Sequence, residues 1–297
     1  MKVLVSGASG MVGTALTRKL NSEGHNVTPL RRSNSNQSTD PNWDPASERI
    51  DLSHGGPWDA VVHLAGENIA AGRWTDKLKR AIRDSRVNGT RLLCNALAKS
   101  EHKPAVIVCA SAVGYYGDSG DVELNEDSPS GDGFLPTVCR EWEAAAQPAR
   151  DAGIRVVHMR IGVVLGREGG ALAKMLTPFK LGAGGILGGG KQYMSWITLN
   201  DVVRAMIYAI NTESLVGPVN AVAPNPVTNR TFTKALGRAL KRPTIVPMPA
   251  FAARMALGEM ADALLLSSIR VVPDRLVHAG FEFDHPSIDG AFASILK

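Results

Sequence analysis

Residues 3 to 13 read Val3-Leu4-Val5-Ser6-Gly7-Ala8-Ser9-Gly10-Met11-Val12-Gly13, a short apolar run that breaks into glycines at every third position. Each glycine in such a turn has its own use. Gly7 permits the tight bend after a strand, Gly10 lets backbone approach a phosphate, and Gly13 lets the following helix lie close to the strand. Val12, Leu16 and Leu20 then recur at four-residue spacing, the stripe of a helix packed on a sheet. The start of that helix aims unpaired N–H groups outward, which suits the pyrophosphate of a dinucleotide. Glycines alone are weak evidence, but a strand before them and a helix after them supply the context the motif demands. Gly7, Ser9, Gly10, Met11, Val12 and Gly13 form the expected phosphate-binding turn.

The second strand-like run indicates which dinucleotide. An NAD site places an acidic side chain there to accept the ribose 2′-hydroxyl, whereas a 2′-phosphate wants arginine. Val27-Thr28-Pro29-Leu30 ends in Arg31-Arg32, with no Asp or Glu beside it. A guanidinium grips a phosphate through paired, charge-assisted hydrogen bonds. The expected cofactor is NADP(H), with Arg31 and Arg32 on its 2′-phosphate.

Further apolar runs at Ala60–Leu64, Ala105–Ala110 and Ile154–Ile161 alternate with helical patterns. Nearly continuous apolar runs are typical of parallel strands covered on both faces. The expected fold is α/β, a Rossmann-type doubly wound parallel sheet with a smaller C-terminal α+β substrate lobe. We place the nucleotide-binding domain at residues 1–165 and the lobe at 166–297, interleaved with the main sheet. Within the lobe, Gly182 to Gly190 is a glycine-rich run that, with Lys191 and Gln192, either closes over a substrate or merely connects elements. Asn200 is a candidate cap for the helix carrying Val203, Ile207 and Ile210. Met255 to Leu266 reads as one helical apolar run.

Composition closes off other classes. The net charge of +5 over 297 residues is modest, and the densest basic stretch, Lys77 to Arg86, also holds Asp84. It reads as the wet face of a helix, and there is no basic stripe with aromatics for nucleic acid. Cys94, Cys109 and Cys139 make no CxxC, and the seven histidines show no metal-ligand spacing, so no metal is expected. Met1 to Val5 turns glycine-rich at once, without the apolar core of a secretion signal, so none is expected, and no apolar run reaches the roughly 20 residues that span a bilayer. The expected setting is cytoplasmic, without membrane contact, as a monomer or homodimer acting on a small-molecule substrate.

Longer motifs carry a resemblance. His63-Leu64-Ala65-Gly66-Glu67-Asn68-Ile69, Arg73-Trp74, Ser111-Ala112-Val113-Gly114-Tyr115-Tyr116-Gly117 and Trp142-Glu143-Ala144-Ala145 lie in the first half of the chain. Arg160-Ile161-Gly162-Val163-Val164-Leu165-Gly166, Trp196-Ile197 to Asp201 and Ala223-Pro224-Asn225-Pro226-Val227-Thr228 follow. With the glycine turn, these make the whole chain resemble the extended short-chain dehydrogenase/reductase superfamily, and within it the YfcH-type epimerase-family proteins. The resemblance implies that Leu64, Ala65 and Gly66 line the middle of the cofactor. It further implies that Arg86, with Asn88, reaches the same site, and that Val163 lies near the nicotinamide.

The reaction usual in that superfamily needs an acid/base tyrosine with a lysine four residues later, the ammonium lowering a phenol pKa of about 10. Four residues after Tyr115, Tyr116, Tyr193 and Tyr208 stand Ser119, Gly120, Ile197 and Thr212. Alignment on Trp142-Glu143 puts Leu135 and Cys139 at the two catalytic positions, and neither can do that work. Ser111 matches the hydroxyl residue that bonds a substrate oxygen in active relatives. The expected alternative is Ser111 and Tyr116 bonding a substrate oxygen, with Glu143 a further candidate acid/base. Two functions fit: an NADP(H)-dependent oxidoreductase or nucleotide-sugar epimerase-like enzyme with an atypical active site, or a catalytically degenerate NADP(H)-binding sensor or regulatory protein.

Overall fold

The computed structural model describes residues 1–32 and 40–297. Strands β1 (Lys2–Ser6), β2 (Asn26–Arg32), β3 (Asn42–Asp44), β4 (Arg49–Asp51), β5 (Ala60–His63) and β6 (Val106–Ala112) come first. β7 (Glu123–Leu124), β8 (Arg155–Ile161), β9 (Val163–Leu165), β10 (Tyr193–Met194), β11 (Trp196–Thr198) and β12 (Gly217–Ala221) follow. Among the described residues eight of them make one sheet, in the order β12-β8-β6-β5-β1-β2-β3-β4. Its pairings are parallel except β3 with β4. The order reverses at β1, and the crevice beyond the strand ends at such a reversal is where ligands bind in open α/β sheets.

The two faces follow from strand periodicity. Val3 and Val5 point into a core shared with α1 (Met11–Ser22), through Leu16 and Leu20, and with a later helix at Leu199–Asn211. Leu4, between them, points into the opposite core with Leu93, Cys94 and Leu97 of α2 (Asp76–Lys99). Every residue of β5 is buried. The expected doubly wound parallel sheet is thus present, and its apolar runs are continuous because both faces are covered.

Next in the chain come α3 (Phe134–Ala144), α4 (Gln147–Asp151), α5 (Gly170–Lys180), α6 (Leu199–Asn211), α7 (Asn229–Leu240) and α8 (Ala250–Leu257). A third core joins Leu172, Leu176 and Phe179 of α5 to Trp196, to Phe232 and Leu236 of α7, and to Phe292. β12 and α6 lie beyond residue 165 yet pack into the main sheet and its core.

Three local expectations are corrected. The cap of α6 is Thr198, whose Oγ1 accepts the Asp201 N–H at 3.0 Å. Asn200 lies inside the first turn and donates to Asp284 at 2.7 Å. Asp201, fully buried, also accepts the backbone N–H groups of Asp284 and His285, tying the C-terminal segment to α6. Met255 to Leu266 is not one helix, because Gly258 breaks it with φ +62° and short helical turns follow. The glycine run is no slack connection: a methyl group at Gly185 would sit 1.5 Å from the Val246 carbonyl oxygen, so two backbones cross there in contact. Gln192 donates to the carbonyl of Leu187 within the run and to that of Leu265 from a later segment. Lys191 is exposed. Among the described residues no helix is long and apolar enough to cross a membrane.

Candidate cofactor turn and the Ser111–Glu143–Arg160 site

The glycine turn has the geometry its spacing requires. A methyl group at Gly13 would lie 2.2 Å from the Gly7 carbonyl oxygen, so α1 can approach β1 only with hydrogen at that position. Gly7 has φ +71°, and a methyl group there would stand 2.8 and 2.9 Å from the Leu64 carbon and the Ala65 nitrogen. The turn therefore packs directly on the tip of β5. At Gly10 a methyl group would meet only the Gly7 oxygen, at 3.4 Å, which leaves the outer side of the turn open. α1 has no side-chain cap on its first N–H groups. Ser9 is exposed beside Gly10, Val12 packs against the sheet, and Met11 lies against Gly166, Gly169 and Gly170.

Buried polar groups hold the β5 tip in place. The Ser6 hydroxyl accepts the N–H groups of Leu64 and Ala65 at 3.2 and 3.3 Å and sits 2.6 Å from His63 Nδ1. His63 Nε2 lies 3.0 Å from the Thr90 hydroxyl, which also accepts the Trp142 indole N–H at 2.9 Å. Arg86 donates to the carbonyls of Glu67 and Ile82, stacks over Trp142 and packs against Gly66. The residues expected to line the cofactor, Leu64, Ala65, Gly66 and Arg86, are thus brought together beside Gly7. Asn88 is exposed on α2. Val163 pairs with Trp196 where β9 meets β11. Arg31 and Arg32 end β2 with both residues exposed, as a 2′-phosphate contact requires.

Burial pushes both His63 and His158 down to about 4 from an ordinary value of 6.5. Between those values the unfolded chain binds protons that the folded chain refuses, so stability rises with pH across the window. Acidifying from pH 7 to pH 4.5 should lower the unfolding midpoint in urea. A His63→Asn variant should lose less over the same range, and equal losses in the two proteins would contradict this reading.

At the far end of β6 lies a second cluster. The Ser111 hydroxyl donates to Glu143 Oε1 at 2.7 Å. Arg160 of β8 grips both oxygens of that carboxylate, Nε to Oε1 at 2.8 Å and Nη2 to Oε2 at 2.9 Å. The pair is largely dry, with the Arg160 and Glu143 side chains 4% and 12% exposed. Burial pushes the Glu143 carboxyl up, but the hydrogen bonds and charge of Arg160 outweigh it and hold the carboxyl below its usual range. Arg160 also donates to the Tyr116 hydroxyl at 3.0 Å and to the Glu126 carbonyl, and its guanidinium lies 3.5 Å from the Tyr115 ring centre.

Tyr116 departs from expectation. It is 1% exposed, and its hydroxyl donates to Asn220 Oδ1 at 2.7 Å while accepting from Arg160. A phenol enclosed in this way, pushed up mainly by burial to about 12, supports Arg160 and does not face a substrate oxygen. Leu135 packs on Gly114, and Cys139 is buried, its thiol pushed by burial to about 12 and so neutral. Neither supplies the missing proton carrier or cation. Three members of the cluster, Arg160, Asn220 and Glu126, were not singled out from the sequence as candidate site residues. Asn220 links β12 to Tyr116, and Glu126 accepts the backbone N–H of Asn220 at 2.9 Å.

A family model for the NAD dependent epimerase/dehydratase family matches residues 3–221. The chain belongs to that family. A second model, a domain of unknown function termed DUF1731, matches residues 248–295. Among curated relatives, the epimerase family protein ML0860 of Mycobacterium leprae is 43% identical over 98% of this chain and 94% of its own length. The human epimerase family protein SDR39U1 is 38% identical over 100% of both chains. A crystal structure of human SDR39U1 (isoform 2) with NADPH superposes with a TM-score of 0.90 at 36% identity, covering 99% of each chain. UDP-glucose 4-epimerase of Thermotoga maritima, at 19% identity and TM-score 0.77, shares the fold.

Proposed function

We propose that this family member is an NADP(H)-dependent oxidoreductase or epimerase-type enzyme, acting on a sugar-nucleotide class of substrate without the tyrosine–lysine pair. Residues 1–165 hold the cofactor and residues 166–297 face the substrate. The residues fit the cofactor: the open side of Gly10 and the uncapped start of α1 would take the pyrophosphate, with Ser9, Met11, Val12 and Gly13 at the same turn. Arg31 and Arg32 would take the 2′-phosphate, and Leu64, Ala65, Gly66, Arg86 and Val163 would line the remainder. The NADPH bound to human SDR39U1 supports the choice of nucleotide. When bound, the nicotinamide supplies hydride exchange.

One observation carries the catalytic part: Ser111 is joined to a desolvated, ionised Glu143–Arg160 pair at the end of the strand beside β5. Low exposure makes each of these bonds stronger than in water. Charge supports the substrate class. Residues 166–297 contain fourteen Lys and Arg against nine Asp and Glu, so the chain's whole net charge of +5 lies in this part, which favours an anionic ligand.

The alternative, an NADP(H)-binding sensor that has lost the reaction, is favoured by one fact: the hydroxyls of Ser111 and Tyr116 are both committed to internal partners. Turnover separates the two readings. NADP⁺ with sugar nucleotides and secondary alcohols, and NADPH with the corresponding carbonyls, should show absorbance change that Ser111→Ala slows about tenfold or more in kcat/KM. Turnover indifferent to Ser111→Ala would refute the assignment, and tight NADPH binding with no turnover would select the sensor.

A further inference from the structure

We infer that the C-terminal end of α7 is a second binding site, for a phosphate or diphosphate group, separate from the nucleotide turn and independent of the functional reading above.

The site is a shallow cavity of about 460 Å³ lined by Lys234, Gly237, Arg238, Lys241, Arg242 and Thr244. None of these belongs to the turn at Gly7–Gly13 or to the Ser111 cluster. Lys234 and Arg238 are four residues apart and so are neighbours on the helix surface. The chain then folds back on the helix. Lys241 takes left-handed backbone with φ +53°, its N–H bonds the Arg238 carbonyl at 3.1 Å, and the Arg242 N–H bonds the Gly237 carbonyl at 2.9 Å. A methyl group at Gly237 would collide with the Thr244 side chain and stand 3.0 Å from the Arg242 carbonyl oxygen. Glycine there admits the returning segment, and a fixed backbone gathers the four cations at one cavity.

Folding does not account for this much charge. One cation in the last turn complements a helix C-terminus, and Arg238, which fills that role, meets Asp289. The side chains of Lys234, Lys241 and Arg242 have no ion pair among the described residues. Along the chain no Asp or Glu stands between Glu213 and Glu259. Like charges on neighbouring helix positions destabilise the helix, and a bound anion relieves that repulsion. The Arg242 guanidinium and the Thr244 hydroxyl offer directed donors to phosphate oxygens, and the two ammonium groups add charge. With no carboxylate in the lining, the cavity does not suit a metal cation. Ile245, 81% exposed, follows Thr244, so a phosphate on a lipid surface would meet an apolar contact beside the charge. A free diphosphate would meet the charge alone.

The test has an arm for each source of phosphate. The full chain, saturated with NADPH to fill the nucleotide turn, is titrated calorimetrically with inorganic pyrophosphate. It is also sedimented with phosphatidylcholine vesicles, with and without phosphatidylglycerol. Lys234→Ala with Arg242→Ala should weaken the binding about tenfold or more, and Lys234→Arg with Arg242→Lys should retain it. Lys77→Ala with Arg80→Ala removes the same charge from α2 and should change nothing. Pyrophosphate binding lost in the Lys234/Arg242 variant supports the site with a free ligand. Vesicle binding that needs phosphatidylglycerol and is lost in the same variant supports it with a lipid headgroup. Binding of neither, binding indifferent to the Lys234/Arg242 variant, or equal weakening by the Lys77/Arg80 control would overturn the inference. Failure of NADPH to bind would sink the functional reading alone, because the variants and not the nucleotide locate this site.

Discussion

Glu143→Leu should lower the folding stability of the chain by about 3–5 kcal/mol, the cost of leaving a buried charge without its partner. Arg160 is held on β8 with its side chain 4% exposed, and it cannot turn to water when the carboxylate is removed. Its remaining acceptors are the Tyr116 hydroxyl and the Glu126 carbonyl, which carry no full charge to balance it. The double variant Glu143→Leu with Arg160→Met should recover most of the loss, because two apolar groups of similar size leave nothing unpaired. Urea unfolding of the three proteins measures both steps. A single-variant loss below about 1 kcal/mol would show the pair to be solvated, contrary to its burial. Acid should act in the same direction. A carboxyl with a lowered folded pKa contributes stability above its ordinary value of 4.5 and loses it as pH falls through the lower folded value. Glu143→Leu should lack that part of the acid response.

The second large effect is on nucleotide choice. Arg31→Ala with Arg32→Ala should weaken NADPH by about 100-fold or more, since hydrogen bonds to a charged group contribute about 1.5–3 kcal/mol each. NADH, which lacks the 2′-phosphate, should change by less than about threefold, the remainder reflecting loss of general positive charge. Both arginines are exposed at the end of β2, so the variants should fold normally. Equal weakening of the two nucleotides would remove the arginines from the 2′-phosphate.

The sheet was legible because its evidence is local and repeated. Continuous apolar runs such as Ala60–Leu64, with a helical stripe at Val12, Leu16 and Leu20, leave few ways to bury both faces. The glycine turn was legible for the same reason, its geometry being set within seven residues. The Ser111 cluster was not, because Ser111, Glu143, Arg160 and Asn220 come from four separate elements. Their meeting is decided by the parallel register that puts Ser111 opposite Arg160. One signal was available: Arg160 lies in a mostly apolar strand pattern and Asn220 in another, and a charge inside a two-sided sheet must find a partner. Tyr116 was misread because its position after β6 suggests a cleft-facing loop, whereas the turn at Val113–Tyr115 folds its ring inward onto Arg160. Asn200 lost the cap to Thr198 because two adjacent candidates differ only in where the first helical N–H points, which the chain path decides.

Calorimetric titration of the purified chain with NADPH and with NADH tests the central claim most directly. The predicted result is saturable binding of NADPH, at least about tenfold tighter than NADH, from the additional charged contacts at the 2′-phosphate. Absence of binding heat with NADPH, or equal affinity for the two nucleotides, would contradict it.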